Sequence, residues 1–171
     1  MRTAESAAPA IIVSSYWSAL YADYAAPLAS FLRKLTGDPE VARELVQETF
    51  VRAIRTGREA EVRSGRAWLF RIAGNLARDH ERRRHVLRFV PFTGREPDPT
   101  GIDPDADLVH RALRQLPTTL SRTLLLHYDA GFSRREIADM DGVTEEAVKA
   151  RLARGRQAFA QAFERVGGDL R

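Results

Sequence analysis

Residues 132–157 read FSRREIADMDGVTEEAVKARLARGRQ, the pattern of two helices joined by a tight turn. Ser133 and Glu136 have the spacing of a capping box, in which hydroxyl and carboxylate satisfy free amides at a helix start. Ile137, Ala138 and Met140 supply an apolar face over little more than two turns. Asp141-Gly142 ends this helix, because glycine takes the positive φ that a tight exit demands. Thr144 is a natural N-cap for the next helix, and Glu145 and Glu146 suit the positive end of its dipole. Val148, Leu152 and Phe159 continue the apolar stripe, while Lys149, Arg151, Arg154 and Arg156 fall largely off it. A short helix, a turn with glycine and a basic second helix make up the helix-turn-helix plan. The same residues also fit a plain helical hairpin with a solvated basic face, so the surrounding chain has to discriminate.

Working outward, the 171 residues allow one domain or two small ones, and a hydrophobic fraction of 44% supports packed cores. The net charge of +4 permits a polyanionic partner without requiring one. With no cysteine, disulfides and thiolate metal sites are excluded, and a reducing cytosol is compatible. No apolar run approaches the roughly 20 residues that span a bilayer. Residues 1–13 read as a loose leader and not as a signal peptide. The expectation is a cytoplasmic protein with no membrane insertion.

Toward the N-terminus, Trp17, Leu20, Tyr21, Tyr24, Leu28, Phe31, Leu32 and Leu35 recur at helical intervals, with Pro27 predicting a kink or a division into two helices. Thr36-Gly37-Asp38-Pro39 is a stop, a turn and a restart. The next helix, residues 39–55, has Ala42, Leu45, Val46, Thr49, Phe50, Ala53 and Ile54 as its inner face. Glu40, Arg43, Glu44, Gln47 and Glu48 form a polar face that reads as solvated on its own. Residues 56–65 form a loop. A third helix, residues 66–86, buries Trp68, Leu69, Ile72, Ala73, Leu76 and His80 and ends in Arg78, Arg82, Arg83, Arg84 and Arg88. Helix dipoles favour cations there, and the density also suits a phosphate partner.

Residues 89–104 carry prolines and glycines that deny helix and strand, marking a linker. Residues 105–115 and 118–128 are helical, separated by Leu116-Pro117, with Leu120, Leu124, Leu125 and Tyr128 in phase on the second. The fold class is therefore all-α: two small helical domains, residues 14–88 and 105–171, joined by a Pro/Gly-rich linker, the second a helix-turn-helix domain.

Catalytic patterns are missing. His80-Glu81-x-x-x-His85 resembles a zinc-protease motif, but histidines five apart stand about 140° around a helix and not on one face. His110 and His127 are isolated. There is no Gly-Lys-Ser/Thr phosphate loop and no Gly-x-Ser-x-Gly elbow. No enzyme activity, metal or cofactor is expected.

Four blocks in order resemble the sigma-70 family of bacterial transcription initiation factors, in its extracytoplasmic-function (ECF) branch, over about residues 16–163. They are LTGDPEVARELVQETFVRA (35–53), RAWLFRIAGNLARDHERRR (66–84), ALRQLPTTLSRTLLLHYDAGFSRREIA (112–138) and GVTEEAVKARLARGRQAF (142–159). The resemblance implies a subunit that binds core RNA polymerase, at the β′ clamp helices and the β subunit, and directs it to two-part promoter DNA. The clamp contact falls on Glu44, Gln47 and Glu48, with Leu45 and Phe50 holding the helix in place. Opening of the −10 element and capture of its bases fall on the loop 56–65 and on Asn75, Arg78, Asp79, Arg82 and Arg83. The −35 element falls to Thr144, Glu145, Glu146, Lys149, Arg151, Arg154 and Arg156. Many family members are held by an anti-sigma factor, a partner that no residue here establishes. The chain departs from the family pattern in three places. The loop lacks the usual aromatic residue, Asp141 stands where leucine is usual, and Glu146-Ala147 replaces a common Gly-Thr. The competing reading is a stand-alone helix-turn-helix DNA-binding regulator, for which the first domain would be superfluous.

Overall fold

A computed structural model describes residues 15–56, 64–87 and 104–167. Seven helices are present among these residues: α1 (Ser15–Thr36), α2 (Pro39–Thr56), α3 (Gly65–Leu87), α4 (Pro104–Arg114), α5 (Thr118–Leu124), α6 (Arg134–Asp141) and α7 (Glu145–Arg165). A π-helical turn, Leu125–Asp129, continues α5. The leader, most of the 56–65 loop and all of the 89–104 linker except Pro104 lie outside the described residues.

The local chemistry that starts and stops these helices is as read from the chain. The Asp38 carboxylate accepts from the amides of Glu40 at 2.9 Å and Val41 at 3.2 Å, capping α2. Ser133 and Glu136 form the reciprocal capping box. Gly142 exits α6 at φ 65°, in the left-handed region that costs other residues a Cβ clash. The Thr144 hydroxyl accepts from Ala147 N at 3.2 Å, starting α7.

Several expectations are corrected. Pro27 neither ends nor divides α1, which runs through it as one helix. Pro27 and Asp23 are both exposed, so the ring and the carbonyl it deprives of a donor face water. The helix expected over 118–128 becomes the π-helical turn after Leu124, and the extra residue per turn rotates the chain there. Leu126 closes a run of buried residues from Ser121 and is 0% exposed, while Tyr128 within the π-helical turn is 59% exposed. On α2, Ile54 is also out of the core, at 37% exposure.

Helices α1–α3 form one bundle, around Leu28, Phe31, Leu32, Phe50, Leu69 and Leu76. The second unit gathers Ala112, Leu113, Leu126, Ile137, Val148 and Leu152. The two units share a continuous core. Phe70 of α3, absent from the expected inner face, meets Phe132 edge-on at 5.2 Å. Trp68, Ile72 and His80, which periodicity placed inside, are only half-buried. The partner unit thus turns the inner face of α3 toward Phe70. Arg66 caps this contact, its guanidinium 4.1 Å from the centre of the Phe132 ring and donating to the carbonyl of Ala130. Lys34 of α1 pairs with Asp129. Gly74 allows the closest approach: a Cβ there would lie 2.2 Å from Nε of Arg122.

His110 on α4 sits between the units. Burial, reinforced by the positive charges of Arg33 and Lys34 and opposed by Asp107 and Asp129, holds its pKa below the ordinary value. The unfolded chain therefore binds this proton more readily than the folded one. Stability is full above about pH 6.5 and falls as pH drops through the window beneath it. The urea midpoint is expected to be lower at pH 5.5 than at pH 7.5, with the difference flattened in His110→Gln. An unchanged difference in that variant would place the proton uptake elsewhere.

Candidate nucleic-acid and polymerase interfaces

The first surface lies on α2. Glu44 and Gln47 are exposed, and Glu48 is half-buried and paired with Arg52 at 2.7 Å. Their i, i+3 and i+4 spacing puts them on one strip, while Leu45 and Phe50 are buried at 8% and 6% and anchor the helix. Phe50 packs against Tyr21 at 4.9 Å. Two residues that the reading of the polar face missed extend this surface, Val51 at 46% exposure and Tyr21 at 54%. The signal for Val51 was apolar character out of phase with the buried stripe, whereas Tyr21 was read into the stripe of α1 and is corrected to an exposed position. Exposed apolar side chains beside a polar strip are the composition of a protein-binding face.

The second surface is the outer strip of α3. Asn75, Arg78, Arg82 and Arg83 are exposed along one side of the helix, with Asp79 half-buried among them. Asp79 restrains the cations without neutralising the strip: Arg82 approaches its carboxylate at 3.7 Å, and Arg83 Nε donates to its carbonyl at 3.2 Å. Arg71, one turn before Asn75, belongs to the same strip and was missed. Toward the start of α3, Trp68, Arg71, Ile72 and Asn75 line a cleft of about 530 Å³ with Arg52 and Thr56. The far wall of that cleft is Asp139–Gly142, the end of α6. A half-exposed tryptophan, arginines and an asparagine are the components that hold an unstacked base by stacking and edge contacts. His85 and Arg88 of the same region carry no described side chain.

The third surface is α7. Helical phase at about 100° per residue sorts its side chains around the buried line of Val148, Leu152, Gly155 and Ala162. Glu146, Ala150, Ala153 and Gln157 point directly away from the core and are exposed. Lys149 and Arg156 border this face on one side and Arg154 on the other, with half-buried Arg151 between Arg154 and the buried line. Lys149 approaches Glu146 at 3.4 Å, and Arg156 donates to the Tyr128 hydroxyl at 3.0 Å, both at exposed positions. Thr144 spends its hydroxyl on the cap, and Glu145 is exposed beside it.

Arg151 differs from its neighbours. Its Nη1 lies 2.8 Å from Oδ2 of Asp141, whose Oδ1 accepts from Nη1 of Arg122 at 2.6 Å. The side chains of Arg122, Asp141 and Arg151 are 8%, 11% and 22% exposed. Asp141, the departure from the family's leucine, is thus the centre of a largely buried ion triad. Two further nitrogens of Arg122, Nε and Nη2, are buried without a hydrogen-bond partner among the described residues.

Among the described residues no group of histidine, cysteine and carboxylate side chains could hold a metal ion. No described helix is long and apolar enough to cross a membrane. A helix-turn-helix unit preceded by a three-helix unit with a basic outer helix defines the class, and comparison with known proteins agrees. The model of sigma-70 region 2 matches residues 20–86, and that of sigma-70 region 4 matches residues 106–159. The ECF RNA polymerase sigma factor SigL of Mycobacterium tuberculosis is 32% identical over 161 residues, covering 87% of this chain and 89% of that protein. The ECF sigma factor SigF of Caulobacter vibrioides is 32% identical over 152 residues, covering 82% and 80%. The structure of CnrH in complex with the cytosolic domain of CnrY superposes with a TM-score of 0.66 at 27% identity, covering 86% of this chain and 87% of that one. The fold is also that of RpoE from Bartonella quintana, with a TM-score of 0.69 at 21% identity. The chain belongs to the sigma-70 family, in its ECF branch, and is a transcription initiation factor.

Proposed function

We propose that the chain divides promoter selection among the three surfaces. The strip of Glu44, Gln47 and Glu48, with Val51 and Tyr21 beside it, docks on the clamp helices of core RNA polymerase. The outer strip of α3 tracks the opened −10 strand, with Asn75 at the mouth of the base-holding cleft. The outward face of α7 reads the −35 duplex, with Lys149, Arg154 and Arg156 on phosphates at its borders. The observation that carries this reading is the separation of three surfaces: a polar strip on α2 with exposed Glu44 and apolar neighbours, a basic strip on α3 of the same unit, and a separate basic helix in a helix-turn-helix. A stand-alone regulator has no use for the first two.

Elements centred about 25 base pairs apart are about 85 Å distant on B-DNA. Asn75 and Gly142 line one cleft. The closed arrangement therefore has to open before both elements are engaged. An anti-sigma factor is a further partner in this reading, since the relative CnrH is held in complex with the cytosolic domain of a second protein. Run-off transcription with added core polymerase tests the assignment. Starts at a shared two-part motif are expected. Tight duplex binding by the chain alone, with no start directed on any template, would favour the stand-alone regulator instead.

A further inference from the structure

We infer that Asp141 is a positioning residue that withholds Arg151 from promoter DNA, so that the −35 duplex is gripped through Lys149, Arg154 and Arg156 alone. The inference rests on the reading of α7 as the duplex-contacting helix and deepens it. By helical phase Arg151 lies on the flank between the buried line and Arg154, and its side chain is long enough to reach the border where a cation would meet a phosphate. In the structure it does not serve that border. Its guanidinium turns back to a carboxylate that is itself 11% exposed, at 2.8 Å. Arg154, by contrast, is exposed, with Nε only 3.4 Å from the carbonyl of Ala150 in its own helix.

The triad makes this orientation hard to reverse. Asp141 lies at the end of α6, Arg122 in the middle of α5 and Arg151 two turns into α7, so one carboxylate ties together three helices of the reading unit. Drawing Arg151 out to a phosphate would leave Asp141 to offset Arg122 alone. Charge-assisted bonds of this kind are stronger where water is excluded, whereas an exposed phosphate contact is screened by salt. The one negative charge of Asp141 is shared by Arg122 and Arg151, so the triad presents a single net positive charge beside the helix and lowers the field there. A leucine at this position would do neither. The consequence is a duplex grip short by one phosphate contact, on the side of the helix where Arg154 is left alone.

The test is the salt dependence of promoter binding by the full chain assembled with core polymerase, across KCl concentrations, for wild type, Arg151→Ala, Asp141→Asn, the double variant, Arg154→Ala, Lys149→Ala and Arg156→Ala. Each phosphate contact contributes about 0.9 to the slope of log K against log salt. Arg154→Ala is expected to lower the slope by about that amount, and Arg151→Ala to leave it within experimental scatter. Asp141→Asn releases Arg151 and should raise the slope by about 0.9, and adding Arg151→Ala should cancel the rise. A fall of about 0.9 in Arg151→Ala alone would overturn the inference, as would a folded Asp141→Asn with an unchanged slope. If thermal melts show Asp141→Asn unfolded, the Arg151→Ala slope decides by itself. Should Arg154→Ala, Lys149→Ala and Arg156→Ala all leave the slope untouched, α7 does not grip the duplex, and it is the underlying reading that fails.

Discussion

Replacing Asp141 by alanine lowers the stability of the chain by about 3–5 kcal/mol, the cost of stranding a buried charge without its counter-ion. The expectation follows from the burial of Arg122 at 8% side-chain exposure, with its pair to Asp141 at 2.6 Å. Two of its nitrogens already lack partners, so Nη1 carries what compensation the guanidinium has within the protein. Relaxation is obstructed by α3, whose Gly74 lies so close to Arg122 that even a Cβ would collide. Alanine also leaves Arg122 and Arg151 facing each other across the vacated position. Urea unfolding followed by far-UV circular dichroism measures the loss. The double variant Arg122→Met/Asp141→Leu is expected to stay near or above wild-type stability, because well-packed apolar residues often match a buried ion pair. A loss below about 1 kcal/mol in Asp141→Ala would mean that water reaches the triad and that it behaves as a surface pair.

Reversing Glu44 and Glu48 together to lysine weakens association with core polymerase at least tenfold, about 1.4 kcal/mol or more. Like charges placed across a docked interface cost several kcal/mol and slow the steered encounter as well. Folding should be spared. Glu44 is exposed, and the Glu48–Arg52 pair has side chains 45% and 49% exposed, a pairing of little net worth to stability. Fluorescence anisotropy of labelled chain titrated with core gives the affinity, and a thermal melt gives the control. An unaltered affinity with an intact fold would move the docking face off α2.

Much of this architecture was legible in the residues because its signals are local. A capping box needs only Ser133 and Glu136, a left-handed exit only Gly142, and an amphipathic stripe only its period. Those features act within one or two turns, so no knowledge of distant partners is required. The errors occur where a distant element intervenes. Phe70 is interior because Phe132, sixty-two positions along the chain, packs against it. Leu126 is in the core because neighbouring helices enclose Ser121 to Leu126 on all sides, and Tyr128 lies outside it within the π-helical turn, neither of which has a periodic signature. Pro27 was read as a break because the exposure that makes it tolerable depends on how α1 packs.

The candidate sites divide along the same line. Glu44, Gln47 and Glu48 on one strip and Asn75, Arg78 and Arg82 on another are consequences of helical spacing, available from residue numbers alone. Arg71 and Trp68 joined the second strip only once the cleft opposite α6 was visible. Arg151 marks the limit most clearly. Its type and length suit a phosphate contact, its helical phase puts it on the flank beside the buried line, and no residue of its own helix identifies its partner. Asp141 could be recognised as a departure, but not as the acceptor for guanidinium groups from α5 and α7. By itself, the sequence determined the helices, their caps, the two-unit order and the family. Tertiary structure alone decided that the units close on each other and that one cation of the reading helix is held back. The physical reason is that helix formation is governed by neighbours three and four residues apart, whereas the pairing of a buried charge depends on which helices exclude water around it.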